Sequence, residues 1–223
     1  KHAPALIDET GSFTSSTLAS RITKTFNLMG GAVAVDSGDT SAFAALNSCI
    51  DLLRAGDCDM MLCAAGQMAL TCATYAAMAR SGCLADGKTT APFDASSRGC
   101  EPGEGVGVVV LKRLSDAERD GDRIHAIIRG IGVARDESLD EGVRKAVERS
   151  LENAQVRPGQ VALVESGAVG IAGHDVREFE GLASAYGRDG RDEPMLLGTA
   201  AAQFGYMGGV SGMAGLLKSV AEL

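Results

Sequence analysis

The sequence predicts a layered α/β fold. Short apolar runs of strand length alternate with helix-spaced apolar stripes along most of the chain. Glycine and alanine abound, with 29 Gly and only 4% aromatic residues, so close packing of helices on sheets replaces bulky aromatic cores. With 223 residues and 45% hydrophobic content, the chain can bury a sizeable core as one large domain or two small ones.

The elements follow in order. Residues 1–20 are polar and irregular, and residues 21–28 mix charge with apolar side chains. Residues 32–35, AVAV, read as a buried strand. From Ala42 the positions Phe43, Leu46, Ile50 and Leu53 keep helical spacing, and Gly56 offers a C-cap. DMMLCAA (59–65) is a second buried strand. Residues 68–80 are helical, and 82–105 form a long loop with Pro92, Pro102 and several glycines. Residues 106–111 form a strong strand, followed by the acidic-basic run SDAERDGDR. Residues 124–133 read as another strand. Val143, Val147 and Leu151 form a helix stripe ending before Pro158. Residues 161–165 are a strand, and Val176, Phe179, Leu182, Ala183 and Tyr186 mark a helix. GRDGRDE (187–193) is a solvated turn, 195–199 a strand and 213–223 a helix. This alternation implies mostly parallel strand pairing. The Gly-rich helix entered at Gly205 carries Gly208, Gly209, Gly212 and Gly215, which implies close backbone contact, since each Gly costs a helix about 1 kcal/mol against Ala.

Composition narrows the partners. A net charge of −8 without a long basic run argues against nucleic acid. No apolar run reaches the ~18 residues of a membrane span. Cys49, Cys58, Cys63, Cys72, Cys83 and Cys100 form no C-x-x-C pair and have no histidine nearby in sequence, so no metal site is expected and they serve as small hydrophobes in a reducing cytoplasm. GEGVG (103–107) precedes a strand, whereas dinucleotide loops follow one, so no nucleotide cofactor is expected.

The segment VDSGDTSAF (35–43) poses the functional question. A strand breaks into small polar residues and opens a helix, a turn that usually presents a nucleophile. Asp39 stands at its tip. By itself Asp39 is either a catalytic acid or a helix cap, and Ser37 and Thr40 compete for the capping role.

Taken together, the motifs resemble the β-ketoacyl synthases of polyketide and fatty-acid synthases. The resemblance covers nearly the whole chain. ALNSCIDLLRAGDCDMMLCAAG is similar to the family's L-R-x-G-x-C-D-x-A helix end. FDASSRGCEPGEGVGVVVLKRLSDAERDGDRIHAIIRG matches its F-D-A, G-E-G-x-G-x-V-V-L-K-R-L and D-G-D-x-I motifs. The resemblance implies a thiolase-like αβαβα layered fold, with 1–121 in an N-terminal half and 122–223 in a C-terminal half. It implies a fold incomplete at both ends here, because the opening and closing strands have no counterpart, and a shortened segment at 133–142. The chain is therefore expected to be part of a longer one.

The resemblance also assigns the catalytic positions. The nucleophilic cysteine of V-D-T-A-C-S-S-S-L falls on Asp39. The histidine of E-A-H-G-T-G-T falls on Gly167, in ESGAVGI. Asp175, Glu178 and Glu180 hold the register of G-D-P-I-E-A-E. In AAQFGY, matching K-T-N-I-G-H, the lysine falls on Ala201, the asparagine on Gln203 and the second histidine on Tyr206. All three Cys-His-His positions are substituted. His174 occupies a family glycine position and reads as a surface or loop-bonding residue, His125 as structural, and His2 lies near the terminus.

These substitutions imply a non-catalytic, chain-length-factor type of ketosynthase, similar to those of polyunsaturated fatty-acid synthases. It would dimerise with an active ketosynthase or with itself and work with an acyl carrier protein, with residues 32–35 pairing across the two-fold axis. The alternative is a divergent active β-ketoacyl synthase, acyltransferase, thioester hydrolase or malonyl decarboxylase, using Tyr206, Glu165 or His174 as the replacement acid or base.

Overall fold

A computed structural model describes residues 15–68, 70–87, 90–187 and 194–223. The expected turn at 187–193 lies almost wholly outside the described residues, as does His2. The described chain opens with α1 (Ser15–Thr25), which extends helix into a stretch expected to be irregular. The hydroxyls of Ser20, Thr23 and Thr25 bond back to the carbonyls of Ser16, Ser20 and Arg21, so the polar side chains are satisfied within the helix. Residues 32–35 do not form the expected buried strand. They form no regular element and are mostly exposed, and no strand among the described residues pairs with them.

Helix α2 (Ser41–Ala55) follows and ends at Gly56, whose φ of 80° supplies the left-handed cap. It buries Ala42, Leu46, Cys49 and Leu53, while Phe43 turns partly outward. Strand β1 (Met60–Gln67), helix α3 (Cys72–Arg80), β2 (Gly105–Lys112) and α4 (Leu114–Asp120) come next. β1 and β2 pair antiparallel over their full length, Met60 with Lys112 through Gln67 with Gly105. This corrects the parallel expectation. The connection through α3 and its long loop leaves and re-enters at the same end of the pair, so the chain must run back along itself.

The second half contains α5 (Leu139–Ala154), β3 (Leu163–Ser166), α6 (Ala172–Tyr186), β4 (Leu196–Thr199), the short α7 (Ala201–Phe204), a 3-10 turn at Gly208–Val210 and α8 (Ser211–Glu222). β3 and β4 are parallel, as a helical crossover requires. Residues 124–133 form no strand. Their carbonyls are taken by side chains of α5: Asn153 donates to Ile131 at 2.8 Å and Arg149 to Val133. Gly130 and Gly132 press this segment so closely on α5 that a Cβ would meet backbone at 2.6 and 2.2 Å. On α6 the buried residues are Asp175, Gly181, Leu182 and Ala185. Of the expected apolar stripe Leu182 is buried, whereas Val176 and Phe179 are exposed, so the stripe coincides only in part with the packing face. Gly181 sets that face by lying against Asp140 and Val143 of α5.

The main core joins α2, β1 and the chain around α8. Ala42, Leu46, Cys49, Cys63, Met207, Val210 and Met213 form one buried cluster. Of the four glycines after Tyr206, Gly208 and Gly209 lie in the turn before α8 rather than in a helix, and Gly208 makes no close contact, whereas Gly209 and Gly212 do. A Cβ at Gly209 would strike the Gly38 carbonyl at 2.9 Å, and one at Gly212 the Phe43 ring at 2.6 Å. All six cysteines are free thiols. Among the described residues no helix is long and apolar enough to cross a membrane.

Candidate functional site

The turn before α2 is held by its own small polar groups. Ser41 Oγ donates to the Gly38 carbonyl at 2.6 Å and accepts the Ser37 N–H at 2.9 Å, and Gly38 takes φ 60°. Thr40, not Asp39, occupies the N-cap position, and its side chain makes no capping bond. The capping reading of Asp39 is therefore corrected. Its carboxylate Oδ1 instead accepts the Tyr206 hydroxyl at 2.5 Å, across 167 residues of sequence. The phenol thus engages one oxygen of the carboxylate.

Tyr206 is aimed by its backbone. Its N–H donates to Glu101 at 2.7 Å, and its carbonyl accepts the Gly103 N–H at 2.8 Å. Gly205 precedes it at φ 74°, where a Cβ would strike the Glu101 carbonyl at 2.8 Å. Burial and the Asp39 carboxylate together push the phenol pKa well above its usual value. Tyr206 thus acts as a neutral hydrogen-bond donor and cannot serve as a base near neutral pH.

Gly167 follows β3 directly. Its N–H donates to Glu178 Oε1 at 2.6 Å. A Cβ there would sit 3.5 Å from that same oxygen, which is ordinary contact, so the site has room for a side chain and has none. Burial raises the Glu178 carboxyl pKa, partly offset by the Gly167 N–H. Asp175, 1% exposed, accepts from the N–H groups of Val169, Gly170 and Phe93. It fixes the loop after β3 against the 90–97 segment, and its hydrogen bonds all go to backbone.

The remaining candidates fall around the same space. Glu165 is bound to Lys218 at 2.8 Å, with side chains only 7% and 17% exposed, so it is engaged away from Asp39. His174 is exposed in the first turn of α6, and His125 is exposed in the 124–133 segment. Ala201 starts α7 with its N–H on Thr199 Oγ1, and Gln203 is exposed on that helix. Asp39, Gly167, Glu178, His174, Ala201 and Tyr206 all line one cavity of about 670 Å³. Its walls add Phe43, Leu163, Val169, Met207 and Leu216. Among the described residues no cluster of three metal-ligating side chains occurs.

The structure thus brings Asp39, Gly167 and Tyr206 to one cavity and joins two of them by a hydrogen bond. Sequence reasoning used Glu178 only as a register mark and missed the Glu165–Lys218 pair. The signal for the pair was present: Lys218 is the lone cation in the run GMAGLLKSVAE, which forms an otherwise apolar helix.

The match to known proteins agrees with this arrangement. Residues 4–117 match the model of the beta-ketoacyl synthase N-terminal domain, and residues 125–223 that of the beta-ketoacyl synthase C-terminal domain. Polyketide synthase GfsB of Streptomyces halstedii is 33% identical over 214 residues, covering 92% of this chain and 4% of that protein. One of the polyunsaturated fatty acid synthase proteins of a Thraustochytrium species is 33% identical over 228 residues, covering 97% of this chain and 8% of that protein. The oxazolomycin ketosynthase domain OzmH KS7 of Streptomyces albus superimposes with a TM-score of 0.87 at 27% identity, over 95% of this chain and 39% of that one. The chain spans only a small part of these relatives and well under half of the solved domain, whose thiolase-like fold it shares. It carries both halves' signatures in order on that fold, and it belongs to the β-ketoacyl synthase family.

Proposed function

We propose that this chain is a non-catalytic, chain-length-factor type of ketosynthase domain. In this reading residues 1–121 and 122–223 form its two half-domains. It dimerises with an active ketosynthase or with itself, meets an acyl carrier protein in the cytoplasm, and shapes acyl elongation in polyketide or fatty-acid biosynthesis. One observation carries the reading: the carboxylate at the nucleophile position is closed by a hydrogen bond from the residue at the second histidine position.

Three physical consequences support it. A carboxylate is a poor nucleophile toward a thioester and would yield a mixed anhydride rather than a stable stored acyl group. One of its oxygens is already engaged by the Tyr206 hydroxyl. Condensation also needs the enolate from malonyl decarboxylation to be stabilised, ordinarily by two imidazoles. Gly167 supplies no side chain, and the one phenol is turned to Asp39. Losing a single oxyanion donor costs about 2.7–4 kcal/mol of transition-state stabilisation in well-studied hydrolases.

A second reading, a divergent acyltransferase, decarboxylase or thioester hydrolase, is favoured by the same contact, since an acid-base pair needs Tyr206 within reach of Asp39. The raised phenol pKa weighs against Tyr206 as the base of such a pair. Supplying malonyl- and acyl-carrier protein to the purified chain separates the two: we expect no ketoacyl product and no carbon dioxide release, and either would establish the second reading. Asp39→Cys is expected to leave condensation absent, because both imidazole positions stay empty. Product formation by that single variant in a radiolabelled malonyl assay would contradict the charge argument.

A further inference from the structure

The cavity's charge distribution bears on which acyl groups it admits, a question that rests on the reading above. Its walls are apolar over much of their area, through Phe43, Leu163, Val169, Met207 and Leu216. Its ionisable groups are nearly all acidic. Asp39 stands at the turn, Glu178 bonds the Gly167 N–H, and Asp175 is fully buried in the first turn of α6. Glu165 adds a fourth carboxylate, and its Oε1 is buried without a hydrogen-bond partner.

Positive charge is already committed. The cation nearest these groups, Lys218, holds Glu165 at 2.8 Å and also faces Glu222 at 3.8 Å. Among the described residues no arginine and no lysine lines the cavity. His174 is the one lining side chain able to gain a positive charge, and it sits on the same helix turn as Asp175 and one turn before Glu178. The donors of Tyr206 and of the Gly167 N–H point at Asp39 and Glu178, so neither is open to an incoming anion. A ligand carboxylate entering this space would lose its water, meet like charges and find no counter-charge.

We propose that the cavity selects neutral acyl groups and rejects carboxylate-bearing ones, so that it accommodates a growing chain but not a malonyl extender. Asp39 and Glu178 are the specificity-determining residues. Asp39 repels the anion at the turn, and Glu178 occupies the donor that a carboxylate would need at the end of β3. The apolar wall accepts the hydrocarbon, and a volume of about 670 Å³ suits a pantetheine-linked acyl group.

The test compares two ligands of equal size. Malonyl-pantetheine and acetoacetyl-pantetheine carry acyl groups of the same heavy-atom count and differ in a terminal carboxylate against a methyl ketone. Titration calorimetry on the full chain is expected to show acetoacetyl-pantetheine binding at least tenfold tighter, with the ratio shrinking as salt is raised from about 50 to 500 mM. The double variant Asp39→Asn with Glu178→Gln is expected to bring the two ligands within about threefold of each other. If that variant fails to fold, the wild-type ratio and its salt dependence still decide. Equal binding of both ligands by the wild-type chain, no binding of either, or a variant that folds and keeps the tenfold ratio would each overturn the proposal. The failure of the functional reading looks different: it appears as carbon dioxide or ketoacyl product, whichever ligand binds more tightly.

Discussion

The GEGVG segment and the Gly167 position both carry glycine, for opposite physical reasons. At Gly103 an added Cβ would lie 2.0 Å from the Phe204 carbonyl, and at Gly107 it would lie 2.5 Å from Met213, a core side chain 1% exposed. These glycines exist because backbone and core pass through the space a side chain would fill. At Gly167 the nearest atom to a Cβ is 3.5 Å away, with no strain demanded. One region is sterically committed to the scaffold, and the other is not. Packing fixes glycine at Gly103 and Gly107, whereas no close contact requires it at Gly167.

Four substitutions sharpen this contrast, in descending order of expected effect. Lys218→Met leaves the buried Glu165 carboxylate unpaired, and we expect a loss of about 3–5 kcal/mol in chemical denaturation. A loss below about 1 kcal/mol would show that the pair is not part of the scaffold. Gly103→Ala forces backbone apart, since the obstructing atom is a carbonyl and not a flexible chain end. A destabilisation of about 3 kcal/mol, at the upper end of overpacking costs, is expected by the same measurement.

Glu178→Gln probes the site by pH. Its folded pKa is raised above the ordinary 4.5 by burial. The wild-type carboxyl therefore contributes fully below that unfolded value, and the contribution is lost as pH rises through the folded one. The stability of the variant relative to wild type should climb over that interval, as read by melting temperature in a pH series, and parallel curves would count against the burial. Gly167→Ala is the smallest: a change within about 0.5 kcal/mol of wild type, against the large loss at Gly103. A loss at Gly167 as large as that at Gly103 would erase the distinction between the two regions.

Much of the fold was legible in the sequence because periodicity reports local burial. α2, β1, β2, α5, β3, β4 and α8 all lie close to their apolar patterns, and Gly56 caps where a left-handed residue was needed. The misreadings share one cause. Residues 32–35 and 124–133 carry the apolar pattern of strands, yet a strand is defined by its neighbour and none pairs with them among the described residues. The antiparallel pairing of β1 and β2 was hidden for a related reason, since the connection's length does not reveal at which end it returns.

The site divides in the same way. The sequence by itself singled out Asp39, Gly167 and Tyr206, because motif order needs no knowledge of contacts. It also marked Gly56 as the cap of α2 and Gly209 and Gly212 as close approaches. Only the tertiary structure decided what the substituted residues do to one another. Whether Asp39 caps its helix or binds Tyr206 depends on a phenol 167 residues away, placed by Gly205 and the backbone pairing with Glu101 and Gly103. Side-chain hydrogen bonds of that span leave no periodic trace in the sequence, and the one between Tyr206 and Asp39 exists only once α2 and the chain before α8 have been packed together.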